Sequence, residues 1–277
     1  MFIGLDLGTS GIRAILVSEE GAVLDAAEAG LAVSRPHQGW SEQDPADWVA
    51  ASRSALAGLS ARNPTAFAAV RGIGLSGQMH GATLLDENGN VLRPCMLWND
   101  TRSAVQAARL DAIPAMRSLS GNIVFPGFTA PKVAWVAEHE PEVYARLALV
   151  LLPKDYLSFW LTGRAVAEMS DAAGTAWLDV GRRQWSDELL ESVLAQWGDQ
   201  VAFYISQVAA ERGEKDRAFE LLERARRNGE PDLVMAVPEP MLRSLHNDPR
   251  WAQFRENIGR SEERLAAVEF EVSEPGG

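Results

Sequence analysis

The chain opens with three short apolar runs in its first thirty residues. Phe2 to Leu7 ends at Gly8, Ile12 to Val17 follows, and Glu19-Glu20-Gly21 turns the chain into Val23 to Ala29. Runs this short, separated by glycine-bearing turns, predict a β-meander at the start of a sheet. Asp44-Pro45 ahead of Ala46 to Leu59 predicts a capped helix. Asp44 is the N-cap and Pro45 the first helical residue, where the missing N–H has no partner to lose. Val70 to Leu75 predicts a buried strand ending at Ser76-Gly77, and Leu147 to Leu152 a second one stopped by Pro153. Strands interleaved with helices predict an α/β fold.

The pattern changes near residue 198. Of residues 1–197, 37 are charged; of the remaining 80, 27 are. Val201 to Arg212 and Asp216 to Arg227 each carry an apolar stripe at helical spacing, with Gly213 as a break between them. Ala218 and Ala225, spaced by seven and followed by Pro231, weakly resemble one tetratricopeptide-type helical hairpin. An amphipathic helical pair covering a neighbouring surface explains the same pattern. The expected organisation is an α/β domain over residues 1–197 and a short all-helical tail over 198–277.

Composition narrows the function classes. A formal net charge of −12 opposes non-specific nucleic-acid binding. Cys95 is the single cysteine, so an intrachain disulfide is impossible, which fits a reducing compartment. Leu147 to Leu152, the longest strongly apolar run, is too short to span a bilayer, and Met1 to Asp6 lacks the basic flank of a signal peptide. The expectation is a cytoplasmic protein with no membrane or nucleic-acid partner.

Two segments carry chemistry. In Asp6-Leu7-Gly8-Thr9-Ser10 a strand turns sharply into the next. Small residues there let backbone N–H groups approach phosphate oxygens, the Thr9 and Ser10 hydroxyls can donate, and a carboxylate can hold hydrated Mg²⁺. A plain hairpin turn accounts for the same residues. Ser76-Gly77-Gln78-Met79-His80-Gly81 follows a strand, where side chains project into a crevice. His80 can exchange hydrogen bonds with a sugar hydroxyl, and Met79 offers an adaptable apolar face to its carbons. A structural histidine is the alternative.

Phe2-Ile-Gly-Leu-Asp-Leu-Gly-Thr-Ser10 resembles the opening of the FGGY carbohydrate kinases, whose fold is actin-like and ribonuclease-H-like. That resemblance implies two domains with ATP in the cleft between them, and a role for Asp6 near Mg²⁺ and phosphate, with Gly8, Thr9 and Ser10 on the phosphate side. Gly77-Gln-Met-His-Gly-Ala-Thr-Leu-Leu-Asp86 resembles the substrate loop of the xylulokinases in that family, which implies that Met79 and His80, with Gln78, contact D-xylulose. Leu97-Trp-Asn-Asp-Thr-Arg102, Pro126 to Lys132, Leu152 to Tyr156 and Met169 to Thr175 agree in order and spacing, so the likeness runs from residue 1 to about 190.

Other positions admit two readings. Trp98, Asn99 and Asp100 line the sugar pocket, or Asp100 caps the helix through Val105 to Leu110. Lys154-Asp155 and Ser170-Asp171 are functional pairs or lock loops together. Lys132 sits in the cleft or on a solvated helix, and His37 and His139 carry no inferred role. The resemblance also implies a general-base aspartate in a glycine-rich segment after residue 197, and adenosine-binding glycines later still. The sequence has no counterpart: its one Gly-Gly pair is Gly276-Gly277, and Asp199, Asp216, Asp232 and Asp248 lack adjacent glycines. Without a base, about 10²–10⁴ in rate is lost. The chain alone is therefore expected to be weakly active or inactive. A non-catalytic sugar-binding or scaffold protein whose tail binds a protein partner, and a truncated or fused gene product, are the alternatives.

Overall fold

The computed structural model describes residues 1–197 and, beyond them, 206, 209–210, 213–228, 233, 236–237 and 240–261. The chain divides into two compact units, Met1–Val193 and Leu194–Gly277.

In the first unit, β1 (Phe2–Leu7), β2 (Gly11–Val17) and β3 (Val23–Gly30) form the expected antiparallel meander. Alternation decides which face is buried: Ile3, Leu5 and Leu7 on β1 and Ile12, Ala14 and Leu16 on β2 all point one way. After β4 (Glu42–Gln43), α1 (Pro45–Arg62) covers that face with Trp48, Ala51, Ser52, Ala55 and Leu59, a stripe at helical spacing. Asp44 caps it by accepting from the Ala46 N–H at 2.9 Å, with Pro45 in the first turn. A short α2 (Pro64–Ala68) leads into β5 (Gly72–Gly77), which runs parallel to β1 and completes a sheet in the order β3-β2-β1-β5.

The run Val70 to Leu75 predicts a buried strand, but β5 starts at Gly72 and pairs on one side only among the described residues, so Ile73 stays 43% exposed. An apolar run reads as buried whether its strand lies inside a sheet or at its edge.

Smaller elements bring the loops over the ends of these strands. β6 (Thr83–Leu85) and β7 (Cys95–Met96) come next, with β7 pairing β4. Then follow α3 (Ala104–Asp111), α4 (Pro114–Ser120), α5 (Thr129–His139) and α6 (Pro141–Tyr144). β8 (Leu149–Leu151), within the second predicted strand, pairs antiparallel with β6, and Pro153 both ends it and starts α7 (Pro153–Thr162). Beyond α8 (Met169–Ala172) lie a 3-10 turn at Ala173–Thr175, the two-stranded ribbon Leu178–Asp179 with Gln184–Trp185, and α9 (Asp187–Trp197).

In the second unit a helix spans Lys215–Asn228, a 3-10 segment Pro240–Leu245, and a helix Pro249–Asn257 capped by Asp248. Ala218, Leu222, Ala225, Leu242, Leu245, Trp251 and Phe254 share its apolar core. Gly213 sits at φ +77°, where the sequence places a break. The predicted helix Val201 to Arg212 lies largely outside the described residues, as do Asp199, Asp232 and Gly276-Gly277. Among the described residues no helix is long and apolar enough to cross a membrane.

Candidate functional site: the joined ends of two parallel strands

The parallel pairing of β1 and β5 brings the two chemistry-bearing segments together. Asp6 registers with Ser76 and Leu7 with Gly77, and the Gln78 N–H donates to the Leu7 carbonyl at 2.7 Å. Two parallel strands end at the same edge, so the turn Gly8 to Ser10 and the loop Gln78 to Gly81 lie side by side. The turn closes with the Gly8 N–H donating to the Gly11 carbonyl at 2.9 Å. Asp6 is exposed, and its carboxylate has no hydrogen bond or ion pair among the described residues. An exposed carboxylate beside this turn is of a kind that would suit Mg²⁺, which takes one or two carboxylates beside phosphate oxygens and keeps its waters.

A buried glutamine joins the two segments. Gln43 Nε2 donates to the carbonyls of Thr9 (2.7 Å) and Ala32 (3.1 Å), while its Oε1 accepts from Trp48 Nε1 and Gln78 Nε2, both at 3.0 Å. Gln78 is 6% exposed, and its own Oε1 has no partner. Trp98, 46% exposed, donates from Nε1 to Thr9 Oγ1 at 3.1 Å, and Asn99 beside it is exposed. Gln43 escapes a motif search because it precedes the helix cap Asp44-Pro45 and looks like loop polarity.

His80 is held at every point. Its backbone has φ +63°, a region that costs a non-glycine residue about 1–2 kcal/mol. Its carbonyl accepts from Thr129 Oγ1 (3.2 Å) and Lys132 Nζ (3.0 Å). The ring lies 5.0 Å from Phe128, and Nδ1 pairs with the Gly174 carbonyl at 3.2 Å. A Cβ at Gly174 would stand 1.9 Å from His80 Cε1, so any larger residue there must displace the ring or the turn. Burial lowers the His80 pKa, the Lys132 charge lowers it further, and the Gly174 carbonyl opposes both. Met79 in the same loop is 39% exposed.

Lys132 occupies neither of its two expected places. It is fully buried on α5, and Nζ donates to the carbonyls of Gly127, Phe128 (3.2 Å) and His80. Helical spacing alone could not separate this lysine from a solvated one.

Asp100 also departs from both expectations. It is fully buried: Oδ2 accepts from the Ser41 N–H at 2.7 Å, and Arg102 pairs with the carboxylate at 2.7 Å. The N-cap of α3 is Ser103, with no side-chain capping bond, so Asp100 does not cap that helix. Arg102 also pairs with Glu42 and lies 3.5 Å over the Trp40 ring, while Arg93 joins Glu42 to Glu140. This network fastens the chain before α1 to the segment after β7. Lys154 likewise bridges Asp155 (2.6 Å) and Asp171 (3.1 Å), tying α7 to α8 as the loop-locking alternative has it. His37 and His139 pack against Trp40 and Trp135.

Comparison with known proteins decides the family. Residues 1–196 match the FGGY family of carbohydrate kinases, N-terminal domain. The chain belongs to this FGGY family. A xylulose kinase of Klebsiella pneumoniae is 53% identical over 191 residues, covering 69% of this chain and 39% of that protein. One from Escherichia coli (strain K12) is 51% identical over 193 residues, 69% of this chain and 40% of its own. The crystal structure of a xyloylose kinase from Brucella ovis matches with a TM-score of 0.68 at 61% identity, over 69% of this chain and 40% of that one. A xylulose kinase structure from Rhodospirillum rubrum matches at 0.66 and 32% identity, with the same coverage of both chains. The chain thus spans about two fifths of the length of these FGGY relatives, and its α/β unit is the first domain of an actin-like sugar kinase.

Proposed function

We propose that this chain carries the sugar-binding and phosphate-binding wall of a xylulokinase, for the reaction of ATP with D-xylulose to give ADP and D-xylulose 5-phosphate. The observation that carries the reading is the registered pairing of β1 with β5, which sets Asp6 to Ser10 beside Gln78 to His80. In this reading Met79, His80 and Gln78 grip the pentulose, and Trp98 and Asn99 border it. Asp100 acts at one remove, holding their loop through Arg102 and Ser41. Gly8, Thr9 and Ser10 steady phosphate, and Asp6 holds Mg²⁺ through water, which would supply charge neutralisation of the phosphates when bound. The domain boundary is proposed between residues 197 and 198, the tail as a tetratricopeptide-like surface for a protein partner, and the setting as cytoplasmic, away from membrane and nucleic acid.

Titration calorimetry with D-xylulose, beside release of ADP in a coupled assay, tests this. Saturable binding that His80→Ala abolishes, with any turnover abolished by Asp6→Ala, is the expected result. Binding without turnover favours a non-catalytic pentulose-binding protein. Equal heats from wild type and His80→Ala would refute the sugar site itself.

A further inference from the structure

Lys132 is a large cation buried with no carboxylate in ion-pair distance among the described residues. A buried charge without a counter-ion is costly, and a methionine of the same length would fill the volume more cheaply. What the ammonium does that a thioether cannot is gather three carbonyls, one for each of its N–H donors. Two of them, Gly127 and Phe128, belong to the turn into α5. The third, His80, comes from 52 residues away and sits in a strained backbone conformation. Thr129, three positions before Lys132 on the same helix, donates to that same His80 oxygen. Phe128, whose carbonyl Lys132 holds, lies against the His80 ring. Backbone anchor and ring support therefore meet at one ammonium.

We propose that Lys132 is the positioning residue of the sugar loop: its three carbonyl contacts fix the backbone of His80 and the flank of its ring, and so aim the imidazole at the pentulose. The proposal rests on the sugar role assigned to His80, although the clamp itself does not.

The charged and titratable groups facing Lys132 are Cys95 on β7, Asp100 and Arg102 just after it, and His80. Burial drives Lys132 down to about 7, with Asp100 opposing the fall and Arg102 adding to it. Cys95, buried, is itself pushed up to about 12 and stays a neutral thiol. Above neutrality Lys132 therefore becomes an amine with two N–H donors for three carbonyls, and one contact is given up.

The test compares wild type with Lys132→Met, a change of charge at nearly constant length. Three quantities are read on the full chain: D-xylulose affinity by calorimetry, the His80 ring titration by imidazole NMR, and thermal unfolding. Lys132→Met is expected to unfold cooperatively, to bind D-xylulose at least about tenfold more weakly, and to show His80 titrating at higher pH, since a nearby positive charge is gone. Wild-type affinity is expected to fall as pH rises from 7 to 9. A folded Lys132→Met with unchanged affinity and an unmoved His80 titration would overturn the proposal. Should that variant fail to fold, flat wild-type affinity across pH 7 to 9 overturns it and a decline supports it. If wild type binds no D-xylulose while Lys132→Met still moves the His80 titration, the sugar reading fails and the clamp stands.

Discussion

The contact between Gly174 and His80 offers the sharpest perturbation of the site. An added Cβ at residue 174 would lie 1.9 Å from Cε1 and 2.1 Å from Nδ1 of the ring. Ordinary carbon contacts begin near 3.4 Å, so the imidazole or the 3-10 turn must move by about 1.5 Å. The ring cannot retreat freely, because Phe128 flanks it and Lys132 and Thr129 hold its carbonyl. Gly174→Ala therefore breaks the Nδ1 hydrogen bond, worth about 0.5–1.5 kcal/mol, and adds overpacking strain of about 1–3 kcal/mol. With His80 in its proposed sugar role, a displacement of that size should lower D-xylulose affinity by up to about 100-fold. The assay is a double-mutant cycle of Gly174→Ala and His80→Ala, followed by chemical unfolding, with D-xylulose calorimetry on each folded variant. With the ring removed, Gly174→Ala should cost little, giving a coupling of at least about 1 kcal/mol in stability. An equal loss of stability in both backgrounds would show that the methyl clashes with something other than His80, and the reasoning would fail.

Gln43→Glu keeps the shape of the strut but replaces the N–H₂ that donates to Thr9 and Ala32 with a second acceptor; about 2–3 kcal/mol of stability should go, read by urea denaturation, with D-xylulose affinity reduced as well. Lys132 is protonated in the unfolded chain well above its folded pKa of about 7, so between pH 7 and 9 the unfolded state holds the extra proton and stability rises with pH. That rise should amount to about 2 kcal/mol in wild type and vanish in Lys132→Met; equal pH profiles would contradict the burial argument. Cys95, fully buried and with its thiol held neutral, should resist thiol reagents until the first unit unfolds, and rapid labelling of native protein would count against the packing around β7. Asp44→Ala removes the cap of α1 and should cost about 1 kcal/mol by thermal melting.

Local rules carried the sequence a long way in the first unit. The meander, the Asp44-Pro45 cap and the strand before Pro153 each follow from a pattern complete within a dozen residues. What sequence pattern could not supply was pairing across distance. Nothing in Gly72 to Gly77 announces that β5 lies parallel to β1 at a sheet edge, and that one pairing sets Asp6 beside Ser76 on the strand that leads to His80. The same gap hides Gln43, Lys132 and Gly174, whose importance lies largely in partners 34 to 94 residues away. Asp100 misled for a related reason: an acidic residue before a helix suggests a cap, and only the fold reveals Arg102 and Ser41 around it.

The site's rigidity has a physical source that bears on how such a wall works. Gln43, Gln78, Lys132 and Asp100 are all buried, and each is held by hydrogen bonds to backbone or to other buried groups. Groups that point outward, Asp6, Met79, Trp98 and Asn99, sit on top of this layer and are exposed. Desolvated polar contacts of this kind have two states, made or broken, and resist small displacements. In the proposed reading, a pentulose arriving at the outer side chains meets a surface already fixed, and less of its binding energy goes into ordering the loops. The same construction predicts that substitutions in the buried layer weaken sugar binding together with stability, whereas Met79→Ala or Trp98→Ala should weaken binding with little change in the unfolding midpoint. If the outer substitutions destabilised the fold as much as Gln43→Glu does, the division between support and contact would be wrong.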